Sequence, residues 1–236
     1  MQLYKPASLI LLLSTLTIGL AQCTSSEIGE SKDVSQDKIY QSYDINYKES
    51  EPSASVTCQY RFAGKDGTTL ILSNPSSVSL DGTSLQVDSS AGRGAYYEGN
   101  KPGADFFGKH EVVFTDINNK KFVNDFNFER FRLIDIPSIV NKNQPLKIGF
   151  ETTPLKAGDQ IVLSSTNTDS TFSVTYSNTD SGKYIIIPAK ELQRQKGTEL
   201  GLVADLYREI PLQQQTVEGG KISVRHTLKP LKIKLK

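Results

Sequence analysis

In the nine residues ASVTCQYRF, positions 54–62, Ala54, Val56, Cys58, Tyr60 and Phe62 alternate with Ser55, Thr57, Gln59 and Arg61. A period of two is that of an extended strand with one face in a core and the other toward water, and it does not fit the 3.6-residue period of a helix. The same alternation runs through Tyr43, Ile45 and Tyr47, and it continues across Asp66-Gly67 in AGKDGTTLIL. It recurs from Val78 and Leu80 through Asp81-Gly82 to Leu85 and Val87. Asp-Gly between apolar runs is a hairpin signal. HEVVFTDINNKKFVNDFNF predicts two more strands about a turn at 116–120. Beyond residue 137 the pattern returns in Leu146, Ile148 and Phe150, in DQIVLSS, TFSVTYS and KYIIIPA, in Leu200 to Leu206, and in the closing KISVRHTLKPLKIKLK. One stretch differs: PAKELQRQK, 188–196, opens on Pro188, stops at Gly197 and predicts a short helix. The expectation is an all-β chain.

Pro137 and Pro145 bracket a polar Asn-Lys-Asn stretch, and proline is excluded from central strands, so a domain boundary is expected near 137. Each half then has roughly 100 residues of short strands between turn signals, the size of an immunoglobulin-type unit. The predicted architecture is two consecutive immunoglobulin-like antiparallel β-sandwich domains, 38–136 and 137–236, with one long barrel as the alternative. No residue-by-residue repeat relates the halves. The chain has no Trp and a single Met, the initiator, so its core must come from Val, Ile, Leu, Phe and Tyr.

The amino terminus constrains location. MQLYKP carries Lys5, and residues 7–20 carry no charge, an apolar run of about 14 residues against the roughly 20 a spanning helix needs. Such a run is a leader. Leu20-Ala21-Gln22-Cys23 resembles the lipobox of bacterial lipoproteins, with Gln22 where that motif usually has Gly, Ala or Ser. The expectation is a lipoprotein signal peptide at 1–22, with Cys23 carrying diacylglyceryl and N-linked acyl chains of the palmitate kind. Each buried acyl methylene contributes about 0.8 kcal/mol, so several chains hold permanently. An ordinary secretory cut after Ala21 is the competing reading, and with it a Cys23–Cys58 disulfide; Cys58 on an inward strand face is otherwise a small apolar filler. TSSEIGESKDVSQD, 24–37, is almost devoid of apolar residues and reads, with Cys23, as a flexible tether at 23–37. Thr24, rather than Asp, after the cysteine points to the outer membrane.

The lipobox-like start, together with YDINYKE, CQYRFAGKDGTTLIL and VSLDGTSL, resembles the two-domain envelope lipoproteins of Bacteroidota with immunoglobulin-like domains, a group without an assigned activity. The resemblance implies an envelope location and carries over no catalytic residue.

Removing 1–22 takes away Lys5 and with it the excess of 27 basic over 26 acidic side chains, so no basic surface for nucleic acid is expected. His110 and His226 stand in no metal or acid–base pattern, and solvent-facing or core-edge places are expected for both. No nucleophile elbow, phosphate loop or dinucleotide fingerprint occurs. The turns NTDST and SNTDSG hold oxygens suited to a hard cation but lack calcium-loop spacing, and turn geometry accounts for them better. No catalytic residue, metal or cofactor is therefore assigned. In LKPLKIKLK the lysines could meet anionic headgroups, or, as preferred, shield an edge strand.

The segment 89–110, SSAGRGAYYEGNKPGADFFGKH, holds five glycines and the pairs Tyr96-Tyr97 and Phe106-Phe107. Read as a long loop, it makes those four rings a candidate ligand site. Read as strand, it places one ring of a pair inside. The reading is an exported, lipid-anchored, non-catalytic envelope protein with an interaction or structural role, its partners the membrane and an envelope protein or glycan. The alternative is a glycan- or peptide-binding module using 89–110, and a third is an envelope hydrolase working through carboxylates.

Overall fold

Alternating side chains settle which strand face turns inward, and pairing register then sets which residues meet. The computed structural model describes residues 26–180 and 182–236, so Cys23 and the leader at 1–22 lie outside the described residues. The first strands are β1 (Ile28–Glu30), β2 (Ile39–Lys48), β3 (Ser53–Phe62), β4 (Thr68–Ile71) and β5 (Ser77–Leu80). They are followed by β6 (Thr83–Ser84), β7 (Val87–Ser90), β8 (Gly94–Pro102), β9 (Gly108–Thr115) and β10 (Lys121–Phe128). β2 and β3 pair from Ile39↔Phe62 to Tyr47↔Ala54, setting Tyr43 beside Cys58 and Ile45 beside Val56 on the buried face. β8 continues this sheet on β3, and β7 on β8. The facing sheet runs β10–β9–β5–β6. Asp81 and Gly82, both at positive φ (48° and 77°), close the β5–β6 hairpin as the Asp-Gly pair predicts.

The second sandwich has β11 (Arg132–Ile134), β12 (Ile139–Val140), β13 (Leu146–Glu151), β14 (Gln160–Ser165), β15 (Ser173–Ser177) and β16 (Tyr184–Ile187). Helix α1 (Ala189–Gln193), β17 (Glu199–Ile210), β18 (Gly220–Thr227) and β19 (Leu231–Leu235) follow. β11–β13–β16 forms one sheet, and β19–β17–β14–β15 with β12 faces it. Both modules divide their strands as immunoglobulin-type sandwiches do. The helix lies where its composition predicts, with Leu192 buried.

Pro137 marks something other than the expected boundary. Phe131 and Leu133 already pack in the second core. The proline instead separates β11, which pairs with β13 in one sheet, from β12, which pairs in parallel with β19 in the other. A strand changing sheets must drop its ladder hydrogen bonds between them, and a residue without an N–H suits that step.

The division 38–136 and 137–236 also misses a crossing near the carboxyl end. β17 outruns its own sandwich: Glu199 to Leu202 pair with β19, whereas Asp205 to Ile210 pair with β18. β18 then lies parallel to β2 over eight residue pairs, from Gly220↔Gln41 to Thr227↔Lys48. Ile222, Val224 and Leu212 are therefore buried in the first core. One 12-stranded sheet runs through both modules.

Three further expectations are corrected. The polar tether is ordered from residue 28: β1 lies parallel on β4, Ser31 is buried with its hydroxyl accepting the Ser73 N–H (2.8 Å), and the Gln36 amide donates to the Ser31 and Val34 carbonyls. Its stability comes from backbone and amide hydrogen bonds that hydropathy does not register. In segment 89–110 the loop reading falls and the strand reading holds, since β8 and the start of β9 occupy most of it. Finally, β19 is no edge strand. It is paired on both sides, although Lys232 and Lys234 do face water.

Candidate functional site

Four aromatic side chains were candidates, and their environments separate them. On β8, successive residues point to opposite faces. Tyr97 therefore points inward and is buried, its hydroxyl accepting the Leu72 N–H at 2.6 Å, while Tyr96 points outward, donates to Asp88 (3.1 Å) and lies under the Arg93 guanidinium. Phe106 is wholly buried and stacks on His110 at 4.4 Å between centroids. Phe107 is half-buried and turns toward the module junction. Tyr97 and Phe106 belong to the core, so the structure does not bring the four together.

Phe107 joins a cluster at the junction. Its ring meets Tyr47 (5.8 Å) and Phe128 (5.6 Å), and behind it His226 contacts Tyr47, Phe128 and Phe131 at 5.2, 5.3 and 6.0 Å. β18 places His226 there because its inward positions are Ile222, Val224 and His226, opposite Tyr43, Ile45 and Tyr47. The imidazole Nε2 lies 3.3 Å from the Glu49 carboxylate, and Nδ1 has no hydrogen-bond partner. Burial pulls the pKa of His226 below its ordinary value, opposed by the neighbouring Glu49. Neither histidine is at the surface. His110 is held by Asp81 (2.9 Å) and the Phe106 carbonyl (2.8 Å). Burial works against the Asp81 carboxylate, yet hydrogen bonds from Lys101, His110 and the Glu111 N–H hold its pKa below the usual range.

In front of Phe107 an open groove of about 710 Å³ separates the modules, with Glu49, Arg130, Phe131, Arg132 and Glu151 among its walls. That is a volume suited to a ligand or an extended segment. The strap from β10 to β11 supplies Arg130, whose guanidinium stands 4.3 Å over the Phe107 ring. The acidic groups on the walls are engaged. Glu49 faces His226 and accepts the Lys229 N–H, and Glu151 accepts from Arg132 Nε at 2.7 Å. Arg130 makes no ion pair among the described residues and stands over an aromatic wall, while burial disfavours the charged imidazole that would offset Glu49.

Beneath the groove, Arg208 fixes the two modules. It projects from the inward face of β17 and ion-pairs with Asp159 at 3.1 Å. It also donates to Thr152 Oγ1, and to the Thr153 carbonyl and hydroxyl, at 2.8 to 3.0 Å. Thr153 in turn donates to Glu129 of the strap. Both hydroxyls are taken up by these contacts to Arg208 and Glu129. Among the described residues no group of three or more His, Cys, Asp or Glu side chains could hold a metal ion. In the Asn/Asp-rich turns, Asp180 accepts the Ser177 N–H (2.6 Å) and Asn167 bridges Gln195 and the Gly201 N–H, so both shape backbone. Cys58 is a free, fully buried thiol whose pKa burial drives up.

The sequence singled out Phe107 but missed Arg130, Arg208 and His226 as its neighbours. Their only signal was charge or imidazole at positions whose partners lie some 20 to 180 residues away, which periodicity cannot pair. No family model matches the sequence, and no curated protein is similar to it. Among solved structures, the chain overlaps the two-domain DIP-gamma IG1+IG2 at 12% identity, over 80% of this chain and 94% of that one, with a TM-score of 0.22. It overlaps Dpr11 IG1 bound to DIP-gamma IG+IG2 at 11% identity, over 80% and 95%, again with a TM-score of 0.22. Overlap that low carries no argument about this chain; the strand order described above does.

Proposed function

We propose that this chain is an exported, lipid-anchored, non-catalytic protein of a bacterial envelope whose junction groove receives an anionic segment of an envelope protein or glycan. The observation that supports the reading is Arg130, a guanidinium without a carboxylate partner among the described residues, stacked on Phe107 at the mouth of a groove between two modules joined by a continuous sheet. A rigid site loses little conformational freedom on binding. The non-catalytic part of the proposal is favoured by the use of both imidazoles in packing. The glycan- or peptide-binding alternative narrows to the same place, because Phe107 alone of the inward-turning rings remains reachable.

Two experiments test the halves of the proposal. Cys23→Ser moves the protein from the membrane to the soluble fraction; retention in the membrane would remove the anchor. Phe107→Ala with Arg130→Ala abolishes retention on an array of acidic polysaccharides, cell-wall fragments and acidic peptides, while Tyr96→Ala retains it and thermal unfolding shows each variant folded. Equal retention by the double variant would remove the groove.

A further inference from the structure

The point at which the chain becomes ordered after Cys23 limits how an acylated molecule could stand on a bilayer. The Glu27 carbonyl accepts both the N–H (2.9 Å) and the hydroxyl (2.7 Å) of Thr69, so the chain is fixed from Glu27 onward. Only four peptide steps separate Cys23 from Glu27, a span of at most about 14 Å. Glu27 in turn has a definite place. Thr69 pairs with Arg61, and the neighbouring Phe62 pairs with Ile39, at the start of β2. The groove lies at the other end of β2, beside Tyr47 and Glu49, some 26 Å away at about 3.3 Å per residue.

The same pole gathers the tip of the long hairpin. The Glu218 N–H donates to the Asp37 carbonyl, the Gln41 N–H to the Gly219 carbonyl, and Thr216 Oγ1 to the Ile39 carbonyl, at 2.6 to 3.0 Å. The turn at 116–120 joins them through the Ile117 N–H and the Gln36 side chain. Two of the exposed large apolar side chains occur here, Val217 at 87% and Ile28 at 44% exposure. The surrounding charges are mixed: Lys38, Lys65 and Lys120 stand among Asp33, Asp37, Asp66 and Glu218. No single-sign field draws this pole to a membrane or repels it, and the acyl chains with the two apolar side chains suffice.

We propose that the acylated protein stands on the bilayer on this pole, with Val217 and Ile28 at the headgroups and with the groove and second module carried outward. The proposal rests on acylation of Cys23. β17 spans from Ile210, beside the hairpin tip, to Glu199 at the far end of the second module, on the order of 37 Å. The continuous sheet keeps that separation fixed.

The acylated, full-length mature protein is inserted in phosphatidylcholine vesicles with a fluorophore on Val217→Cys or on Lys196→Cys, near the far end. Cys58 is buried and does not compete for label. Energy transfer to a lipid-surface acceptor is expected to be several-fold stronger from position 217 than from 196. Equal transfer, as from a molecule lying flat, or stronger transfer from 196 would overturn the orientation while leaving the anchor intact. Intact mass showing an unmodified terminus, with no vesicle association, would instead overturn the anchor and this proposal with it.

Discussion

The two modules share a strand plan and close their cores differently. The second closes on itself: its core, from Phe131 to Leu235, is mainly aliphatic, with Ile148, Ile161, Leu163, Ile185 and Leu200 fully or almost fully buried. The first is built around aromatic residues, among them Tyr43, Tyr60, Phe106, Phe114 and Phe128, and it closes only when Leu212, Ile222 and Val224 arrive from the other end of the chain. Without β18, β2 would be an open edge with the inner flank of Tyr43 and Ile45 uncovered. The second module can therefore complete its core without the first, whereas the first depends on a hairpin that the second holds out. Closing so long a chain loop costs entropy, and the eight-pair ladder and the buried side chains offset it.

The largest effect follows from shortening that hairpin. Arg208 and Val224 are register partners in the hairpin, so replacing residues 209–223 by an Asn-Gly turn shortens it while keeping Leu206 in the second core and the Arg208–Asp159 pair. The first core loses Leu212 and Ile222, worth about 1.5–3 kcal/mol each. The expected outcome is two thermal transitions in place of one, with the tyrosine near-ultraviolet signal of the first module lost first. One shared transition at the parent temperature would break the dependence.

Next comes the lock between the modules. Arg208→Ala leaves Asp159, 2% exposed, without its cation, and breaking a buried pair costs about 3 kcal/mol. Urea unfolding measures it. Replacing both partners by apolar residues, Arg208→Met with Asp159→Leu, is expected to recover most of the loss, since no orphaned charge remains. A loss in Arg208→Ala below about 1 kcal/mol, the scale of an exposed pair, would mean that the sheet alone unites the modules.

Those two tests address what periodicity could not show. Strand positions, both hairpin turns at Asp66-Gly67 and Asp81-Gly82, the short helix and the inward face of 54–62 were legible because each is decided by neighbours in sequence. Cys58 as a buried filler was legible for the same reason. The module that β18 serves was not, because KISVRH alternates identically whichever sheet receives it. Order within the expected tether, at residues 28–37, was not legible because Ser31 and Gln36 hold the chain through hydrogen bonds rather than apolar burial. At the candidate site, Phe107 could be named from its ring but not told apart from Phe106. Adjacent residues have opposite fates there, and the short turn of Gly103–Asp105 decides which ring enters the core.

The smallest expected effect distinguishes the junction from both cores by its response to acid. His226 is packed against Tyr47, Phe107, Phe128 and Phe131, with Glu49 as the facing carboxylate and the Glu129 backbone nearby. Burial lowers its pKa in the folded protein, so between pH 6.5 and that lower value the unfolded chain binds more protons than the folded one. Stability from this group is complete above about pH 6.5 and declines as the pH falls toward the folded pKa. Glu49 moderates the decline because its carboxylate favours the imidazolium. His226→Phe keeps the ring and removes the titration, so the fall in urea midpoint between pH 7 and pH 5 should flatten in that variant. Glu49→Gln should steepen it, since the imidazolium then loses its counter-charge. An identical decline in the parent and His226→Phe would assign the acid sensitivity to the carboxylates of the modules, and the junction would no longer be the part of the molecule that responds first.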